Sequence, residues 1–501
     1  MRVRPARRLE DLPRTLRDQV EVLGEQFFAP FGASGSIVDP ARRKVGAEHE
    51  RLVMLALSME GITLNDKLLI FAAFEARGWK KVGQGTLRKE FYGSPIELTT
   101  DAGFSLLEFS STPRTAVKDI GIEMALVMDE AKSILGEKYL LAGGGMLPFT
   151  RFTQGGIPDP RLLDGALADK ERYNGFVAAI GHAFKFQCLI AADQAQLDIG
   201  RGEIVAVSNI FTYSAAAMMA LFGYSPISEG KPNGYKENRQ RLWVHSVSSA
   251  PGPNGYMHRG RVGLPRLVTS EWEYFMENLL VHPGMVTVLG GGKFSSNYFY
   301  FAETLPMLSH IANGGAKVNP IAHGLSCEHI TIGVDHLVSH QGQMWQLGRL
   351  KPYHDSVRPR GVYEVRVVSA QSEIKASLAF YALCLGLTAN QERALSFFRG
   401  LAGLESDVNT QAVLDNAISS AERHGMNGTF AQRPMAEVLG DIVDIAKKSL
   451  EEIGMHENAA HLEILSQWIR DEKSPADHAL EAFGSGDEKG VRALADLLRV
   501  K

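Results

Sequence analysis

The stretch Val45-Gly46-Ala47-Glu48-His49-Glu50-Arg51-Leu52-Val53-Met54-Leu55 decides how the rest of the chain is read. It reads as part of a strand from Val45 to Leu57. Residues two apart on a strand share a face, so Glu48 and Glu50 point the same way. Apolar Val45 and Leu52 lie nearby. Two carboxylates side by side in a core-like strand repel each other, and a hard cation such as magnesium is the usual remedy. Taken alone, the pair reads first as a solvated strand edge.

Three further segments carry charge where apolar neighbours make it costly. Glu108 sits in the strand-like run Leu106–Ser110, where a carboxylate needs a metal, an arginine or a proton. Asp101 occupies the turn before it and is equally an ordinary turn residue. Glu364 and Arg366 share a face of the Val-rich strand 362–368. They are either a same-face ion pair or a metal ligand beside a phosphate-binding cation. In Glu229-Gly230-Lys231-Pro232-Asn233-Gly234-Tyr235 the proline and glycines define a loop. Lys231, Arg239 and Arg241 give it positive charge suited to polyphosphate or carboxylate.

Around these segments the expected elements alternate. Residues 1–43 read as a leader helix with a loop at Phe31–Ser36. Helices are expected near 64–77, after Pro113, over 171–187 and over 205–222. Strands are expected at 87–98, 140–145, 194–198 (half-buried), 329–337 and 362–368. From Glu373 the chain is nearly all helical, with an apolar stripe through Val438, Leu439, Ile442, Val443, Ala446, Leu450 and Ile453. Mixed elements followed by a helical run predict an α+β body, 44–370, with a helical C-terminal part, 371–501.

Composition excludes several classes. The chain has 501 residues, 45% hydrophobic and 22% charged, enough for a sizeable core. With 53 basic and 57 acidic residues, no nucleic-acid footprint dominates. Three cysteines make no disulfide framework. No apolar run is read as long enough to span a bilayer, and the arginines at 2, 4, 7 and 8 precede no apolar signal segment, so a cytoplasmic location is expected. No phosphate-loop motif is present. Gly290-Gly291-Gly292-Lys293 comes nearest but is followed by Phe294. Cys327, His329, His336 and His340 fit no standard zinc spacing and read instead as strand residues.

Together these segments resemble the glutamate–cysteine ligases of the plant and proteobacterial type. Gly46-Ala47-Glu48-His49-Glu50 is similar to the family's first-strand motif, and Asp101 and Glu108 keep the spacing of its next acidic residues. Ser225-Pro226, the loop 229–235 and Trp243 resemble its signature loop. Arg358, Glu364 and Arg366 resemble its late arginine, glutamate and arginine, and Ser474-Pro475-Ala476-Asp477 its terminal helices. The resemblance implies a glutamine-synthetase-like funnel of curved, mostly antiparallel sheet with outer helices. It implies an ATP- and Mg2+-dependent carbon–nitrogen ligase of glutathione biosynthesis. Glutamate and cysteine would be joined through an acyl phosphate, by a monomer or homodimer with no nucleic-acid or membrane partner. It also implies roles: Glu48, Glu50, Asp101, Glu108 and Glu364 as metal ligands, Lys231, Asn233, Arg239 and Arg366 at the nucleotide, and Lys231, Arg358 and Arg366 neutralising phosphate charge during transfer. The chain departs from the family pattern after Trp243, where Val244-His245-Ser246-Val247 replaces threonine and aspartates, and at Ser369, where an acid is expected. These departures leave open a related ligase for another amine, or an inactive ATP-binding homologue.

Overall fold

The computed structural model describes residues 8–83, 85–91, 93–168, 170–248, 258–288, 298–321, 326–354, 360–401 and 407–501. Its centre is a nine-stranded sheet. The strands are β1 (Val45–Leu55), β2 (Lys80–Gly83), β3 (Thr86–Phe91), β4 (Ser94–Thr99), β5 (Leu106–Ser110), β6 (Tyr139–Ala142), β7 (Ala192–Asp198), β8 (Gly348–Tyr353) and β9 (Arg360–Ser369). They run in the order β8-β9-β7-β1-β5-β4-β3-β2, with β6 also on β1, and every pairing is antiparallel. β1 is long enough to pair with β7 through residues 45–49 and with β6 through 52–55, while β5 borders it on the other side. The fold is α+β.

Alternation along β1 separates two environments. Ala47, His49 and Arg51 face helices, where the Tyr381 hydroxyl reaches His49 and Ser377 reaches Arg51. Glu48 and Glu50 therefore leave the opposite face. The helices include α1 (Arg14–Phe28), α2 (Leu64–Ala76), α3 (Val117–Leu135), α4 (Glu171–Ile180), α5 (Ile204–Phe222), α6 (Arg239–Ser248), α7 (Ile374–Ala389) and α8 (Met435–Glu452). α5 lies on β8 and β9, α7 on β1 and β7, α3 on β6, and α8 covers α7. On β9, Tyr363 stacks on Phe211 of α5 with ring centroids 5.5 Å apart, which turns Glu364 and Arg366 to the far face.

The N-terminal segment is built into the same core. Leu16, Val20, Phe27, Phe28 and Phe31 are buried. The Phe31 ring crosses β9 at Gly361, where a Cβ would lie 2.0 Å from it.

Several expectations are corrected by packing. The segment 329–337 is not one strand. A short strand, Glu328–Ile330, gives way to a helix, Val334–Gln341, whose turn His336 caps by accepting from the Gly333 amide at 2.9 Å. The strand at 194–198 is buried nearly throughout, because α7 covers one face and the polar cluster described below covers the other. The helix 171–187 breaks at Gly181, φ 85°, into α4 and a 3-10 segment. The run 87–98 is a hairpin, β3 and β4. Finally, the helical stretch Arg201–Phe222 is long and apolar enough to cross a membrane by length and composition, contrary to the expectation of no such run. It is buried almost throughout inside the fold and serves as a core helix.

Candidate active site

The far face of the sheet gathers polar and charged side chains from five strands. Glu50 on β1 stands directly opposite Glu108 on β5, which in turn faces Thr99 on β4. Asp101 follows β4 by two residues. Ligand oxygens of Glu50, Asp101 and Glu108 all lie within 4.8 Å of one another. Glu50 is 5% exposed and accepts from the Ala192 amide and from Gln194 Nε2, both at 2.6 Å. Asp101 accepts from the Tyr173 hydroxyl at 3.0 Å, and Arg172 lies over the Tyr173 ring. Burial pushes the Glu50 carboxyl well above the usual range, and the charges of Asp101 and Glu108 push it the same way; Arg239 and Arg366 only partly offset them. Buried at Glu50, partly exposed at Asp101 and Glu108 and all oxygen, this donor set fits a hard divalent cation such as Mg2+.

The neighbouring group is of opposite character. Glu364 is fully buried and accepts from Arg349 Nε at 2.5 Å, Lys351 Nζ at 2.8 Å and Arg366 Nη1 at 3.0 Å. Burial pushes its carboxyl up, but Arg349, Lys351 and Arg366 together hold it well below the usual range. Lys351 also reaches Glu48 at 3.2 Å. Gln196 donates to Glu48 and, at 3.4 Å, to Glu364, while Gln194 accepts from Arg366. The register explains the convergence: Arg349 of β8, Glu364 of β9 and Gln196 of β7 are successive cross-strand partners. One wall of the site is thus carboxylate and the next is cationic, joined through Gln194 and Gln196.

The family model for glutamate-cysteine ligase family 2 matches residues 44–495. The chain belongs to this family. It is accordingly an ATP-dependent carboxylate–amine ligase. No curated protein sequence matches it significantly. Among solved structures, a bifunctional glutathione synthetase from Pasteurella multocida is 10% identical with a TM-score of 0.48, covering 96% of this chain and 54% of that one. The ligase thus spans about half of that enzyme's length. A glutamate–cysteine ligase from Francisella tularensis in complex with AMP is 11% identical with a TM-score of 0.48, covering 93% and 88%. The ligase PafA, crystallised with the ubiquitin-like protein Pup, is 10% identical with a TM-score of 0.38, covering 92% and 73%.

Other expected residues of the ligase are placed less uniformly. Arg239 starts α6 and is 3% exposed, with Glu50, Glu237 and Arg366 the charges around it and its Nε without a partner among the described residues. Lys231 is exposed on a two-strand hairpin, Ile227–Ser228 with Lys231–Pro232. Its turn holds Glu229 at φ 50° and Gly230 at φ 79°. The unusual Glu229 conformation is held by its own carboxylate, which accepts from the Phe152 and Thr153 amides at 2.9 and 2.8 Å. Asn233 bonds Asn238 at 2.8 Å. Arg358 and the Gly290–Phe294 segment lie outside the described residues.

Sequence reading missed Arg349 and Lys351. Their signal was the alternation Arg349-Leu350-Lys351, identical in kind to Glu364-Val365-Arg366, one strand earlier. It also missed Arg261, which is fully buried and donates to the Gln343 carbonyl at 3.1 Å. Arg349 donates to the Gly342 and Met344 carbonyls at 2.8 Å, so the two arginines hold one turn from two sides. Arg261 forms no ion pair among the described residues.

Proposed function

We propose that this ligase joins the γ-carboxylate of glutamate to the amine of cysteine, giving γ-glutamylcysteine, ADP and phosphate. The observation that carries the reading is the divided site: three clustered carboxylates on β1, β5 and the loop after β4, beside a cationic wall on β8 and β9. A carboxylate resists attack by an amine because of its charge and resonance. Attack of its oxygen on the γ-phosphorus of ATP expels ADP and leaves an acyl phosphate. The amine then attacks the acyl carbon, phosphate departs, and the amine loses a proton. The first step brings two anions together and the second expels phosphate, so positioning and charge neutralisation dominate. Glu50, Asp101 and Glu108 would hold Mg2+, which when bound shields the phosphate oxygens. Arg366 and Arg239 stabilise charge on the transferred phosphoryl group.

One observation favours a second reading. α6, Arg239–Ser248, carries no acidic side chain, and Ser246 beside His245 is held by Gln187 instead. An ammonium group bound there meets no carboxylate from α6 itself, which suits an acceptor amine other than that of an ordinary amino acid.

An ADP-release assay with glutamate, aspartate and glutamine, each crossed with cysteine and other amines, separates the readings when products are identified by mass spectrometry. Glutamate and cysteine should give γ-glutamylcysteine. With glutamate alone, ADP release should be slow and accompanied by pyroglutamate. Robust ADP release with another pair and none with glutamate and cysteine would move the ligase to the second reading. Formation of AMP and pyrophosphate would overturn the acyl-phosphate route.

A further inference from the structure

The five carboxylates expected to hold metal do not share one environment. Lys351 Nζ lies between Glu48 and Glu364, 3.2 and 2.8 Å from their oxygens. Arg349 and Arg366 complete the shell of Glu364, and Gln196 donates to both carboxylates. Two carboxylates therefore face three cations, and a divalent ion placed among them would touch an ammonium. Lys351 is also fixed from behind. Its ammonium stands 5.6 Å from the Tyr353 ring centroid, and the Tyr353 hydroxyl is tied to Gln196 Oε1 at 2.9 Å. Glu50 differs: it accepts from an amide and a carboxamide, and no ammonium or guanidinium bonds it among the described residues.

We propose that Lys351 is a built-in counter-cation that fills the position between Glu48 and Glu364, so that the nucleotide-free protein holds a divalent ion at Glu50, Asp101 and Glu108 and none at Glu48 and Glu364. The inference rests on the proposed cation role of the Glu50 group. It removes Glu48 and Glu364 from the metal ligands and makes the cationic wall permanent. A lysine cannot dissociate as a metal ion can, so the wall keeps its charge before nucleotide arrives and after product leaves.

The test is Mn2+ binding to the full chain without nucleotide, read by electron paramagnetic resonance of free Mn2+. Wild type should bind a single ion. Glu48→Gln should leave that ion's affinity nearly unchanged, whereas Glu50→Gln should weaken it about tenfold or more. Lys351→Met should gain a further ion, and Lys351→Arg should not. If Lys351→Met does not fold, Glu48→Gln still decides, since Glu48 is partly exposed and tolerates the change. Loss of ion binding in Glu48→Gln, or two ions on wild type, would overturn the proposal. No ion on wild type but one gained by Lys351→Met would remove the role of the Glu50 group and leave the Lys351 clamp standing. No ion gained by a folded Lys351→Met would remove the clamp.

Discussion

Glu50 of β1 and Glu108 of β5 are direct cross-strand partners, and both come within 4.8 Å of Asp101. Like charges directly opposite one another destabilise a sheet. A divalent cation held by the three carboxylates would relieve that repulsion. Turnover should stop when a chelator removes divalent ions and return with Mg2+ or Mn2+, without any need for zinc. Glu50→Gln should raise the Mg2+ concentration for half-maximal turnover by about tenfold or more. Full activity in chelator would refute the cation role.

Arg366 donates to both Glu364 and Gln194, on the boundary between the two walls. Arg366→Ala should lower turnover by roughly 10²- to 10³-fold, the effect of removing a donor aimed at developing charge. Arg349 and Lys351 still hold Glu364, so the melting temperature should change little. Arg366→Lys should also be impaired, because the planar fork is lost. Near-normal turnover with a large drop in melting temperature would make Arg366 a structural ion pair only.

Behind the site, on the helix face, Asp193 is fully buried. It bonds Arg51 at 2.6 Å, Ser377 at 2.6 Å, His49 at 3.2 Å and the Gln371 amide at 3.1 Å. Burial pushes its carboxyl up, but Arg51, His49 and Ser377 bring it down to about 2. A depressed carboxylate contributes stability above its ordinary value of 3.8, lost as pH falls through about 2. Asp193→Asn strands the Arg51 charge and should cost on the order of 3–5 kcal/mol in urea denaturation at pH 7. An unchanged unfolding midpoint would show that the network carries no such load.

Glu422 shows the opposite sign. Burial, with the Glu237 charge added, pushes its carboxyl from 4.5 up to about 7. A raised carboxylate leaves stability intact below pH 4.5 and removes it as pH rises through about 7. Glu422→Gln should therefore stabilise the fold at pH 8 by on the order of 3 kcal/mol, and have no effect below pH 4.5. Equal melting temperatures of the two proteins at pH 8 would contradict this.

Much of the architecture was legible along the chain. Alternation in 45–55 marked β1, Leu106–Ser110 was β5, and the apolar run after Ile204 was the core helix, because side-chain period and local propensity are properties of neighbouring residues. The segment 329–337 misled because its alternating apolar residues fit a strand and a short helix equally, and Gly333 decided for the helix by letting His336 cap it.

The chain by itself determined which residues share a face: Glu48 with Glu50, Glu364 with Arg366, Arg349 with Lys351. It could not determine which strands lie side by side. That depends on register across β8, β9, β7, β1 and β5, set by long-range burial of Tyr363 on α5 and of His49 and Arg51 on α7. Only this tertiary pairing divided the five acidic candidates, placing Glu50 against Glu108 and Asp101 but Glu48 and Glu364 against Lys351. The reason is electrostatic range: a buried carboxylate is governed by the charges a few ångströms away, and in this sheet those come from strands up to 300 residues distant along the chain.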